Sequence, residues 1–293
     1  MTQEPPRLWR APAKINLTLH VLGRDAAGWH ELDSIVAFAG CCDWLGFAPG
    51  AKLSLEIDGP TARVSGPLQD NLVLRAAGAL AERVAGLRLG RFSLHKALPV
   101  AAGIGGGSSD AAAALRALAH ENGLALDDER LRDAAAAIGA NVPVCLAPRA
   151  RLMAGRGERL GPELALAPLF AVLANPGVAV STAAVFAALG LSPGAATGAT
   201  PSPRLASRSA SAPTIAAFKS GRNDLQGAAM RLAPAIGETI DALARASGAS
   251  FARMSGSGAT CFALFADRHA AVRAAHAIAL AHPGWWVRAT LLR

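Results

Sequence analysis

Helical stretches mixed with short, hairpin-like strands, arranged in two successive blocks, predict an α+β fold in two halves. Three observations carry that prediction. A strand pattern of period two opens the chain, a glycine-rich loop runs straight into an alanine-rich helix near its middle, and the pattern restarts after residues 150–165. We therefore expect one domain over 1–160 and a second over 161–293.

The first strand is expected over 13–22. Lys14, Asn16, Thr18 and His20 alternate there with Ile15, Leu17, Leu19 and Val21, the pattern of a strand with one buried and one polar side. Residues 23–28 turn the chain, and further strands are expected at 34–38 and 52–57. Asn71 reads as the cap of a helix that stops at Gly86. A strand at 92–95 leads into Pro99-Val100-Ala101-Ala102-Gly103-Ile104-Gly105-Gly106-Gly107-Ser108-Ser109-Asp110. Four glycines in five residues let the backbone adopt φ > 0, and the two serines are placed to cap the helix that follows.

A glycine-rich loop feeding a helix N-terminus presents N–H donors backed by a positive helix end, which suits phosphate. No lysine follows the glycines, which excludes a Gly-x-x-x-x-Gly-Lys-Ser/Thr phosphate loop, and the spacing fits a dinucleotide fingerprint poorly. The competing reading is a Gly/Ser linker, but linkers seldom run into a capped helix. Asp127 is expected to cap the next helix, which closes at Gly139, and 141–146 is expected to be extended because Val142 precedes Pro143.

In the second half we expect a strand at 170–173, a short helix capped by Ser181-Thr182, and a long flexible loop over 191–221, rich in Ser, Pro, Ala and Gly. Helices over 223–247, strands at 250–254 and 261–265, a helix over 267–281 and a strand at 285–292 complete the block.

Composition narrows the function. At 293 residues and 52% hydrophobic, the chain can bury a large core. No apolar run reaches the roughly 20 residues that span a bilayer, and the first residues carry no secretion pattern, so a cytoplasmic protein without membrane attachment is expected. The four cysteines lack Cys-x-x-Cys spacing and read as reduced thiols; the seven histidines suggest no protein-held metal site. The net charge of +8 comes from thinly spread arginines mixed with acidic residues, a texture that suits an anionic small molecule and argues against nucleic acid. We expect a monomer or a weak homodimer. Lysine is scarce, at Lys14, Lys52, Lys96 and Lys219 only, and two of the four sit beside the strongest motifs.

Three blocks carry a family resemblance: Pro12-Ala13-Lys14-Ile15-Asn16-Leu17 with Gly28-Trp29-His30-Glu31-Leu32, the glycine loop, and Arg253-Met254-Ser255-Gly256-Ser257-Gly258-Ala259-Thr260-Cys261. Together they resemble the galactokinase, homoserine kinase and mevalonate kinase superfamily. The first block is most similar to the branch that uses ATP to phosphorylate the 2-hydroxyl of diphosphocytidyl-methylerythritol. The resemblance implies a ribosomal-protein-S5-like N-terminal domain, a ferredoxin-like C-terminal domain, a site in the cleft between them, and ATP with Mg2+ as co-substrate and ion.

Carried over residue by residue, the resemblance makes Lys14 the catalytic lysine and Asn16 a substrate contact. Trp29, where the branch usually has tyrosine, would stack on cytosine while His30 reads the base edge. Thr182 and Phe186 would close the cytidine pocket, with Gly256, Ser257 and Gly258 supporting the phosphates. Asn71, Leu72 and Lys96 would lie on the adenine side, and Pro99 through Ser109 (Pro99, Val100, Ala101, Ala102, Gly103, Ile104, Gly105, Gly106, Gly107, Ser108, Ser109) would hold the triphosphate. Bland readings stand beside these: a solvated Lys14, Trp29 as packing, Phe186 as core, and 254–256 as a simple turn.

One position departs from the pattern. The branch carries an aspartate, the general base, where this chain has Asn141 in Gly139-Ala140-Asn141-Val142-Pro143. An amide accepts a hydrogen bond but takes no proton near neutral pH. A kinase scaffold with impaired turnover is the expectation. The alternatives are a kinase relying on Lys14, magnesium and positioning, a superfamily kinase for another alcohol, and a non-catalytic nucleotide-binding protein.

Overall fold

The computed structural model describes residues 7–201 and 215–293 of the chain. They fall into two compact units interleaved along the sequence: one made of Met1–Ala13, Cys42–Val100 and Gly105–Pro148, the other of Lys14–Cys41, Ala101–Ile104 and Arg149–Arg293. The strands β1 (Arg7–Asn16) and β3 (His30–Pro49) each contribute to both.

In the first unit the second part of β3 pairs antiparallel with β5 (Gly90–His95), from Trp44 opposite His95 to Pro49 opposite Gly90. β4 (Ser54–Asp58) runs parallel on the other side of β5. The alternation of β5 is clean: Phe92 and Leu94 are buried while Arg91, Ser93 and His95 are exposed. Four helices complete the unit: α1 (Leu72–Ala81), α2 (Gly106–Glu121), α3 (Glu129–Ile138) and α4 (Val142–Leu146). Every residue of α2 from Ser109 to Ala119 is buried, and the alanines let neighbouring helices approach on all sides. Arg116 is the one long cation in that run. Its guanidinium bonds the carbonyls of Cys145, at 2.7 Å, and of Arg10, satisfying acceptors at the C-terminal end of α4.

In the second unit, β8 (Leu169–Asn175), β9 (Ala249–Met254), β10 (Cys261–Phe265) and β11 (Trp286–Leu292) form an antiparallel sheet in the order β11-β8-β10-β9. With α5 (Thr182–Ala187), α6 (Ile215–Lys219), α7 (Gln226–Leu232) and α8 (Ala235–Arg245) after β8, and α9 (Arg268–Ala281) after β10, the connectivity is that of a ferredoxin-like layer, strand order 4-1-3-2. Phe262, Phe265, Ile236, Leu243 and Ile278 are among its buried residues. The same unit holds β2 (His20–Arg24), the first part of β3, β6 (Arg151–Gly155) and β7 (Arg159–Glu163), with β3 pairing β2 and β6.

Several expectations need correction. The strand expected over 13–22 is interrupted at 17–19, where Leu17 N–H bonds Ile35 O at 2.8 Å and Leu19 N–H bonds Arg222 O at 2.8 Å. Its polar face is as dry as its apolar one: Lys14 is 4% exposed, Asn16 1%, Thr18 0% and His20 2%. Residues 142–146 form α4 and not an extended segment, because Pro143 sits in the first turn, where its missing N–H costs nothing. Ser108 and Ser109 lie inside α2, whose cap is Gly105 in the left-handed region at φ 64°. The cap of α3 is Asp128, one residue after the expected Asp127.

The described ends of the predicted 191–221 loop are pinned. Gly194 N–H bonds Arg24 O, Arg24 N–H bonds Ala195 O, and Thr197 N–H bonds Leu22 O, at 2.8, 2.8 and 3.0 Å, so residues 194–197 lie along β2. The other end forms α6, and the middle of the loop, 202–214, lies outside the described residues.

Candidate active site

The loop 98–109 turns through three left-handed residues, Ala101 (φ 51°), Gly103 (φ 73°) and Gly105 (φ 64°). The first intrahelical bond of α2 runs from Ser109 N–H to Gly105 O at 2.9 Å, and Gly105 has no side chain to cap the end. Helix geometry thus leaves the preceding amides, those of Gly106, Gly107 and Ser108, outside the i→i−4 ladder at the positive end of a 16-residue helix. Ser109 is committed elsewhere: its hydroxyl is buried and donates to Pro12 O at 2.7 Å. Leu72 lies against this turn, 3.4 Å from where a Cβ on Gly107 would stand, and Asn71 caps α1 by accepting from Val73 N–H at 2.9 Å.

Lys96, expected at the adenine side, points inward. Its ammonium is buried between Asp43 (2.5 Å) and Asp110 (2.7 Å). Asp43 also accepts the amides of Ala97 and Leu98 at 2.6 and 2.8 Å, anchoring the entry to the loop. Burial opposes the charge on Lys96, but the two carboxylates outweigh it and hold its pKa above the ordinary value.

In the second unit, Lys14 Nζ donates to Asn16 Oδ1 at 2.7 Å, and Asn16 Nδ2 donates to Ser34 Oγ at 2.7 Å. Ser34 is fully buried, and its hydroxyl donates a hydrogen bond to Thr18 O at 2.5 Å. The Asn16 amide is therefore held at both ends, its oxygen on the lysine. Ser255 joins the three sequence blocks: its hydroxyl accepts from Asn16 N–H at 3.1 Å and donates to Gly103 O at 3.3 Å, while Thr260 N–H bonds Ala102 O at 3.1 Å. Arg253 donates to the carbonyls of Leu17, Phe218, Lys219 and Gly221, and Asn223 Nδ2 to those of Met254 and Gly256. Burial pushes the Arg253 pKa down to about 10, yet carbonyl dipoles meet its donors.

Around the β2–β3 hairpin, Trp29 is 55% exposed, with the Arg156 guanidinium 4.6 Å from its ring centre. Asp25 holds the turn by accepting Trp29 N–H at 2.8 Å. The His30 ring lies 4.7 Å from the Phe186 ring, and its Nε2 is buried without a hydrogen-bond partner among the described residues. Burial and then Arg24 lower the His30 pKa, against Asp25, so the imidazole is neutral at pH 7. Thr182 and Ser257 share a hydroxyl–hydroxyl bond of 2.8 Å. Asn141 stands at the N-cap of α4 and makes no capping bond through its side chain.

The structure thus groups Lys14, Asn16, Gly103, Thr182, Ser257, His30 and Phe186 within one unit, and the α2 amides, Leu72, Lys96 and Asn141 within the other. Sequence reasoning missed Ser34, Asp43 and the positioning serine Ser255. Ser255 sits inside a recognised motif and was within reach; Ser34 and Asp43 lie in apolar strand surroundings with no local signal.

A glycine turn feeding a helix N-terminus, a lysine–asparagine strand and a ferredoxin-like layer define a small-molecule kinase of the GHMP class. Residues 71–148 match the GHMP kinases N terminal domain and residues 205–283 the GHMP kinases C terminal model. The chain is 60% identical, over 97% of its length and 98% of the relative's, to the 4-diphosphocytidyl-2-C-methyl-D-erythritol kinase of Methylobacterium radiotolerans. It is 58% identical to the kinase of the same name from Methylorubrum extorquens, over 97% and 98%. A crystal structure of 4-(cytidine 5'-diphospho)-2C-methyl-D-erythritol kinase superposes with TM-score 0.77 at 35% identity, covering 97% of this chain and 99% of that one. Homoserine kinase from Cytophaga hutchinsonii, at 17% identity and TM-score 0.67 over 99% and 95%, shares the fold. The chain belongs to the 4-diphosphocytidyl-2-C-methyl-D-erythritol kinase family, ATP-dependent phosphotransferases with an alcohol acceptor. No helix among the described residues is long and apolar enough to cross a membrane.

Proposed function

We propose that this chain transfers the γ-phosphoryl group of ATP to the 2-hydroxyl of 4-diphosphocytidyl-2-C-methyl-D-erythritol in the non-mevalonate route to isoprenoid precursors, and that Asn141 slows its turnover. The observation that carries the substrate reading is His30: a neutral imidazole against Phe186, with a buried and unsatisfied Nε2. Leaving such an atom unpaired costs about 1–3 kcal/mol. A cytosine edge would satisfy it, and exposed Trp29 offers a face for the ring. Neither homoserine nor mevalonate brings a base to such a pair.

Phosphoryl transfer is catalysed by positioning and by balancing charge spread over the transferred group. The α2 amides supply oriented donors for the phosphates. Lys14 supplies a positive charge, aimed by the doubly held Asn16. ATP is taken as its magnesium complex. The magnesium ion would balance part of the phosphate charge beside the α2 amides. None of the four cysteines is in a disulfide, which fits a cytoplasmic enzyme. Small-molecule partners alone and a monomer or weak homodimer complete the reading.

Asn141 cannot accept the hydroxyl proton. Aspartate has nearly the same volume, so Asn141→Asp should raise kcat by about 10²-fold or more, with both substrate dissociation constants little changed. Equal kcat values for the two forms would show the base to be dispensable here.

A further inference from the structure

Beneath the first residue of α2 lies a cluster with an unbalanced charge. A Cβ on Gly106 would stand 3.7 Å from Lys96 Nζ and 3.8 Å from Asp43 Oδ2, so Asp43, Lys96 and Asp110 form the floor under the amides that face the phosphates. All three are buried: Asp43 is 0% exposed, Lys96 4% and Asp110 3%. Two carboxylates and one ammonium leave a net charge of −1. Asp43 is fully engaged, with the amides of Ala97 and Leu98 on Oδ1 and Lys96 on Oδ2. Asp110 is not. Its Oδ2 takes Lys96, while its Oδ1 is buried with no hydrogen-bond partner among the described residues.

The Asp110 and Asp43 side chains lie within hydrogen-bond reach of each other, a contact that two carboxylates cannot use and that a single proton converts into a bond. Other charges stay away. Arg75 on α1 and all four charged residues of α3 are exposed, α4 carries none, and Arg116 on α2 is held by carbonyls. Burial, with Asp43 adding to it, pushes the Asp110 pKa up to about 7 against the pull of Lys96.

We propose that Asp110 is a positioning residue that takes up one proton from solvent when ATP binds, so that the triphosphate at the α2 N-terminus meets a neutral Asp43–Lys96–Asp110 floor in place of a negative one. The physical reason is mutual. Phosphate charge a few ångströms away disfavours a second carboxylate, and the proton both removes that charge and gives Asp110 a bond to Asp43. The inference rests on the reading of this loop as the ATP site.

The test is calorimetric titration of magnesium-ATP, without acceptor, into the full chain at pH 8 in buffers of different ionisation enthalpy. For a carboxyl that titrates near 7 in the free protein, uptake should exceed about half a proton per ATP. Asp110→Asn should bind ATP with no linked proton and an affinity that no longer falls as pH rises. ATP binding without proton uptake in the wild type overturns the proposal, as does undiminished uptake in Asp110→Asn. Absence of ATP binding overturns the kinase reading itself and is recognised by the missing titration heat. Should Asp110→Asn fail to fold, infrared difference spectra of [4-13C]aspartate-labelled wild type decide. A protonated carboxyl band must grow on adding ATP, and its absence refutes the assignment.

Discussion

Gly103 gives the sharpest test of how the site is assembled. Its φ is 73°, and an added Cβ would stand 2.6 Å from the carbonyl oxygens of Gly258 and Ser255 and 2.7 Å from Gly258 N. Ordinary contact begins near 3.4 Å, so these backbone atoms would have to retreat by 0.8 Å. Gly103→Ala pays the left-handed cost of about 1–2 kcal/mol and an overpacking cost of about 1–3 kcal/mol, together about 2–5 kcal/mol. At about 2–4 °C per kcal/mol, Tm should drop by about 4–20 °C in scanning calorimetry. Gly106→Ala is the control. Its Cβ would sit 3.7–3.9 Å from Lys96, Asp43 and Leu98, at a helical position. There alanine gains about 0.5–1 kcal/mol over glycine, and Tm should hold or rise slightly. Equal Tm for wild type and Gly103→Ala, or an equal loss in Gly106→Ala, would refute the argument that close backbone approach requires glycine at 103 and not at 106.

Ser34→Ala should remove the acceptor that holds the Asn16 amide; a lost buried partner is worth about 1–3 kcal/mol, so kcat should fall about 5- to 150-fold while both substrate affinities persist. Unchanged kcat would detach Ser34 from the chemistry. Because the His30 pKa is lowered, its neutral form persists below the usual histidine midpoint of about 6.5. Cytidyl-substrate affinity should therefore stay level from pH 8 to 6.5 and weaken only under more acid conditions; a decline beginning above pH 7 in fluorescence titrations would contradict the role given to His30.

Much of this was legible in sequence where local rules decide. Asn71 caps α1 as read, the strand read at 92–95 is there as part of β5, and β8 to β11 fall where their patterns lie. The failures share one cause: tertiary context overrides a local rule. Lys14, Asn16, Thr18 and His20 look like a wetted strand face, but Ser34, Ser255 and Arg222 cover them. Val142-Pro143 looks extended until Asn141 opens a helix in which proline is in the first turn. β6 and β7 exist because β3, 20 residues long, offers an edge that no local pattern at 151–163 announces. Within the candidate site, the pairing of Lys96 was not legible in the sequence, because its two carboxylates lie 53 and 14 residues away.

The serine at 255 also imposes a schedule on the growing polypeptide. Asn16 leaves the ribosome 239 residues before the hydroxyl that receives its amide. At a synthesis rate of about 5–20 residues per second, β1 waits for about 12–48 s without that partner. Gly103, once translated, still has 152 residues to wait before Ser255 is made for the glycine turn to lie against. A ribosome stalled between residues 109 and 255 therefore carries a nascent chain that has its whole glycine turn and no Ser255 to hold it against β1.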